Sequence, residues 1–254
     1  MFSRMVKEKS RSSALKVALE VLGSLLVVFL LLGCGNSGGG GGGGGEEDVC
    51  PETNLDIAVC DPTGGPFSLI IDNQFFPLDV GTQLVLEGVE DGETIRVEIT
   101  VLDETEDVAG VTTRVVEEAE WVDGELAEIS RNFFVQAPDG TVCYFGEDVD
   151  IYEGGVVVSH EGEWRAGENG NLPGIFMPSI PDIGMVYSNE FAPDVAEDQA
   201  EVIALGEEID VPAGTFDDTL TVEECNPLED AERDIKVFVR GIGIAIDGAT
   251  ELLP

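Results

Sequence analysis

The chain has 254 residues and carries 52 Asp and Glu against 12 Lys and Arg, a formal net charge of −40. A surface of that sign repels phosphate backbones and anionic headgroups, which excludes nucleic acid as a partner. Yet 43% of the residues are hydrophobic, too many for a wholly disordered acidic polymer.

The first 33 residues read as an address. Arg4, Lys7, Lys9, Arg11 and Lys16 form a positive start, and an apolar stretch runs from Val21 to Leu32. That stretch is too short to span a bilayer comfortably and suits the core of a signal peptide. It ends in Leu31-Leu32-Gly33-Cys34, which resembles a bacterial lipobox. The resemblance implies diacylglyceryl modification of Cys34 and cleavage before it. Gly35, in place of Asp, favours the outer membrane in a Gram-negative cell. Two or three acyl chains give the stable anchoring that one does not. Removing residues 1–33 takes away five basic and two acidic residues, so the net charge becomes −43 and Lys236 is the only lysine left.

Residues 34–49 read as a tether, with eight glycines at 38–45 and the acids Glu46, Glu47 and Asp48. About 15 such residues reach roughly 20 Å. Gly35-Asn36-Ser37-Gly38-Gly39 matches the G-x-S-x-G nucleophile pattern, but no strand precedes it and no helix follows. A lead-in at 50–66 holds Cys50 and Cys60, and Cys143 and Cys225 follow later. An even set in an exported chain predicts two disulfides, with Cys50–Cys60 and Cys143–Cys225 as the first choice among three pairings.

From residue 67 to 254 the hydrophobic period is two, and one domain is expected. Ile95, Val97, Ile99 and Val101 alternate with polar residues. Val111, Thr113, Val115, Ala119 and Trp121 share a face of the next strand. After Asp123-Gly124, a hairpin signal, Ala127, Ile129, Phe133 and Val135 do the same. Pro138-Asp139-Gly140 turns into Thr141-Val142-Cys143-Tyr144-Phe145, and Gly154-Gly155 into Val156-Val157-Val158. Further strands are expected near 184–190, 201–212, 218–225, 232–240 and 242–247, with at most a helical turn at 192–198. About a dozen short strands in sequence order predict an all-β antiparallel meander. Edge protection favours a barrel or a strongly curved half-barrel, with a two-sheet sandwich as the alternative. Residues 164–184 break the rhythm with Pro173, Pro178 and Pro181, and read as an apolar loop packed over a barrel mouth or an open sheet face.

Several segments resemble an uncharacterised group of bacterial envelope lipoproteins. They are Ile71-Asp72-Asn73-Gln74-Phe75-Phe76-Pro77-Leu78 with Gly81-Thr82, then residues 139–148, Trp164-Arg165-Ala166-Gly167, Pro173-Gly174-Ile175-Phe176-Met177-Pro178 and Gly241-Ile242-Gly243. The resemblance implies an all-β meander and assigns no catalytic residue.

Candidate chemistry is sparse. Paired carboxylates, as in a glycosidase, carry little information where acids are so abundant. His160, the sole histidine, shares a face with Val156, Val158 and Trp164 in the alternation, and reads as a partly buried structural residue. One histidine and no C-x-x-C leave too few zinc ligands. Glu147, Asp148 and Asp150, or Glu224, Glu229, Asp230 and Glu232, suggest only weak, diffuse Ca²⁺ binding, because no EF-hand loop is present. The functional expectation is a monomeric, non-enzymatic envelope module that binds a small apolar ligand or an envelope protein. His160, Trp164, Phe176 and Met177 are the candidate ligand contacts. A display module without a pocket and an acidic-residue hydrolase are the alternatives, and the acidity itself suits a saline habitat.

Overall fold

The computed structural model describes residues 49–228 and 232–254. The leader, Cys34 and the glycine run lie outside the described residues, as do Glu229 and Asp230. Alternation produces strands throughout: β1 Gln83–Glu90, β2 Glu93–Val108, β3 Val111–Val122, β4 Glu125–Gln136, β5 Val142–Glu153, β6 Val156–Ser159, β7 Trp164–Arg165 and β8 Gly174–Met177. They continue as β9 Val186–Ser188, β10 Gln199–Leu205, β11 Ile209–Val211, β12 Gly214–Phe216, β13 Thr219–Asn226, β14 Glu232–Val239, β15 Gly243–Asp247 and β16 Thr250–Leu252. The one helical element described is a 3-10 turn at Ile57–Cys60, and no helix there is long and apolar enough to cross a membrane.

The strands form an all-β antiparallel meander. One 14-stranded sheet runs β6-β5-β4-β3-β2-β1-β16-β15-β14-β13-β10-β9, with β7 and β8 both paired to β5, and β11-β12 is a separate hairpin. A single sheet of this size departs from the two-sheet sandwich. Its ladder does not close into a barrel either. At the seam, β8 approaches the far edge without a ladder: Leu172 N–H donates to the Phe191 carbonyl in an isolated bridge, and Gly174 packs against the backbone of Asn189. Besides β7 and β8, three strands escape the sequence reading, β1, β12 and β16, and the expected strand at 201–212 is divided between β10 and β11. The proline-rich stretch at 164–184 supplies β7 and β8, short segments that the prolines confine to an edge.

Register decides which face of each strand is buried. Val97 pairs with Glu120 and Ile99 with Glu118 across β2 and β3, while Glu118 pairs with Ser130 and Val116 with Asn132 across β3 and β4. A glutamate row therefore shares the inner face with the β2 aliphatics. Ala119 and Ile129, also partners, lie on the opposite face. The same inversion occurs on β14, where Lys236 and Phe238 turn inward and Ile235 is exposed.

The disulfides correct the expected pairing. Cys50 is bonded to Cys225 and Cys60 to Cys143. The lead-in does not curl into a short loop. It runs along the domain, with Asn54 and Leu55 N–H donating to the Val186 carbonyl and Ser68 bridging Gln136. This path carries Cys50 to β13 and Cys60 to β5. The Phe67 ring then meets Phe145 edge-on at 5.8 Å, covering the face of β5 that also carries Cys143.

Candidate functional site

Side chains from β2 to β5, β8, β13 to β15 and the segment after β9 converge on one cavity of about 80 Å³. β3 and β14 stand five places apart in the strand order, and both contribute.

One end is aromatic. Phe76 reaches it from the turn at 71–78, which Asn73 organises: its Oδ1 accepts from Phe75 and Phe76 N–H, and its Nδ2 donates to the Gly140 and Pro178 carbonyls. Four bonds satisfy this buried amide and tie the turn to the β4–β5 hairpin and to the end of β8. Phe176 of β8 lies 4.3 Å from Phe76 and 5.0 Å from Phe134, and Phe134 stacks on Tyr144 at 4.8 Å.

The other end is ionic. Lys236 Nζ lies 3.1 Å from Glu224 Oε2 and 3.5 Å from Asp247 Oδ1. Burial alone would lower this ammonium, but Asp247, Glu224 and Glu118 outweigh it and hold it well above its ordinary value. Asn189 Nδ2 donates to Glu224 Oε1 at 2.6 Å. Burial pushes Glu118 up to about 7, against the pull of Lys236, and Asp247 reaches about 7 for the same reason. Burial and the adjacent Glu190 raise Glu147 well above the carboxylate range. Between the two ends the Tyr144 hydroxyl donates to Asn132 Oδ1 at 2.5 Å. Ser130, which lines the cavity, donates through Oγ to Glu128 Oε1 behind it at 2.8 Å, and burial lifts Glu128 to about 7. Glu120 is 1% exposed and neither of its carboxyl oxygens has a hydrogen-bond partner. Burial, and then Glu128, raise its pKa well above the ordinary carboxylate range.

The four sequence candidates are not gathered here. Phe176 lines the cavity. Trp164 is buried behind it, edge-on to Tyr144 at 5.3 Å, and Met177 is fully buried in the core. His160 is exposed, which corrects the partly buried reading. Its neighbours Val156, Val157 and Val158 stand on the edge strand β6 and are exposed as well. His160 Nδ1 contacts the Val149 carbonyl at 2.7 Å and Asp150 Oδ1 at 3.0 Å, beside an open outer cleft of about 470 Å³. The charges in that cleft largely pair with one another, as in the two-bond Arg165–Asp148 contact and the Arg131–Glu117 bridge. Among the described residues no group of three His, Cys, Asp or Glu is placed to hold a metal ion.

Of the polar residues of the cavity, Glu147 and Glu224 entered the sequence reading only as members of diffuse Ca²⁺ clusters, and the others were missed. Lys236 alone carried a signal, being the one lysine beyond residue 33 and flanked by Ile235 and Val237. The chain matches no family model, no curated protein sequence and no solved structure.

Proposed function

We propose that the protein is an exported, lipid-anchored envelope module that binds a small ligand in this cavity and performs no reaction on it. The carrying observation is the cavity lining. Burying carboxyl groups costs several kcal/mol each unless they are well compensated, and an apolar filling would be more stable. Retaining Glu118, Glu147, Glu224 and Asp247 around a space fits a site better than a core. The mixed lining favours a small amphipathic ligand over a wholly apolar one. A strongly curved half-barrel accounts for β3 and β14 facing the same space. Anchoring at Cys34, on the outer membrane, rests on the lipobox and on the resemblance to envelope lipoproteins.

A second reading has one observation in its favour. Convergent carboxyls raised to about 7 suit acid–base work in a hydrolase. Room weighs against it. On this measure a water needs about 10–15 Å³, so the cavity holds about five to eight water-sized groups, fewer than one sugar ring with its substituents.

Native protein extracted from membranes, analysed by mass spectrometry before and after lipid removal, tests both parts of the proposal. A chain beginning at acylated Cys34 and releasing a stoichiometric small molecule is the expected result. An intact chain with unmodified Cys34 overturns the anchor. Hydrolysis of a glycoside panel, lost in Glu118→Gln, would overturn the non-enzymatic reading.

A further inference from the structure

Donors and acceptors around the cavity do not balance. Each side-chain nitrogen and hydroxyl facing it already donates to an acceptor: Lys236 to Glu224 and Asp247, Tyr144 to Asn132, Ser130 to Glu128, Asn132 to the Val116 carbonyl, and Asn189 to Glu224. The acidic lining is larger, with Glu118, Glu147, Glu224 and Asp247, and with Glu190 and Asp198, which have partners of their own, around one lysine. Independently of that cluster, Asn189 is 5% exposed, lines the cavity, and has no donor to its Oδ1. Its amide cannot be reversed to cure this, because reversal would set Oδ1 against the Glu224 carboxylate.

We infer that the cavity is a binding site for a small primary alkylammonium ion, its N–H groups directed to Asn189 Oδ1 and the Glu147 carboxyl and its hydrocarbon stem lying along Phe134, Tyr144 and Phe176. This rests on the reading of the cavity as a ligand site and names the ligand class. An anion would meet six acids and one lysine that is already paired twice. A divalent metal lacks three gathered ligands among the described residues. A neutral alcohol offers one donor where an ammonium offers three, and it forgoes the attraction of a cation to the acidic lining. The room for about five to eight water-sized groups matches an amine with a short chain.

Titration calorimetry of the purified full chain with butylammonium, 1-butanol and butyrate tests the inference. Butylammonium should bind at one per chain, at least about tenfold tighter than 1-butanol, a difference of about 1.4 kcal/mol, and butyrate should give no heat. Glu147→Gln should loosen butylammonium by at least about tenfold. Asn189→Ala, which removes the unpaired acceptor, should loosen it too and serves if the first variant fails to fold. Equal affinity for amine and alcohol overturns the charge assignment and leaves the ligand site standing. The same holds if no probe binds while native protein releases a neutral molecule. No binding of any probe, together with a native preparation free of ligand, overturns both.

Discussion

Lys236 Nζ stands 3.1 Å from the Glu224 carboxylate, with the two side chains only 13% and 12% exposed. The contact joins neighbouring strands β13 and β14 on their inner face, and Asp247 of β15 completes it from the other side. Removing the cation strands two buried carboxyls, whereas removing one acid leaves the lysine its second partner. Lys236→Met should therefore cost about 3–5 kcal/mol, and Glu224→Gln distinctly less. Urea midpoints of the two variants decide this, and an equal loss would contradict it.

Stability should fall as the pH rises from about 5 to about 7. Burial holds Glu118 and Glu128 at about 7 in the folded chain, while unfolded glutamate titrates near 4.3. Between these values the folded state keeps protons that the unfolded state has lost, so unfolding releases protons. Each group contributes a slope of about −1.4 kcal/mol per pH unit, and the slope vanishes above the folded pKa. Glu128→Gln should flatten the profile. A midpoint that rises over this window in the unaltered chain would refute the assignment.

Non-reducing peptide mapping should recover Cys50 joined to Cys225 and Cys60 joined to Cys143. The bridges close loops with sequence separations of 175 and 83. By the chain-entropy account, loops of this length contribute about 4–5 kcal/mol each. Removing either bridge should lower the denaturant midpoint strongly. A Cys50–Cys60 peptide would restore the pairing expected from local spacing.

A methyl group at Gly174 would lie 1.8 Å from the Asn189 carbonyl oxygen. Backbone on both sides cannot yield cheaply, so Gly174→Ala should cost about 3 kcal/mol, the upper end of overpacking losses. The change also pushes β8 away from Asn189. Its calorimetric affinity for butylammonium should fall even where the variant is folded by circular dichroism.

The acidic surface should respond to salt. With the leader removed the charge is −43, and the Debye length falls from about 30 Å at 0.01 M to about 3 Å at 1 M. Self-repulsion is screened over that range, so the melting temperature should rise with NaCl. A flat or falling response would remove the case for salt adaptation.

The strand content was legible because period-two alternation is local. Ile95 to Val101 and Val111 to Trp121 announced β2 and β3 without reference to any partner. β1 was passed over because its polar interruptions, Gln83, Glu87 and Gly88, blur the alternation. β16 is three residues long, too short for a period to show. The site was far less visible. Glu118, Glu147 and Glu224 look like any other acid in a chain with 52 of them, and only Lys236 stood out by rarity.

By itself the sequence determined the class of fold and the sign of the charge, since composition and periodicity need no third dimension. Tertiary structure decided the rest. Which face of an alternating strand turns inward depends on the register with its neighbours, and a one-residue slip exchanges the faces. That choice turned Glu118 and Lys236 toward the cavity and left Ile235 exposed on the opposite face. Cysteine pairing depended likewise on the path of the lead-in across the sheet, which no spacing between cysteines encodes. A site assembled from strands that are distant in the chain exists only once the sheet has formed.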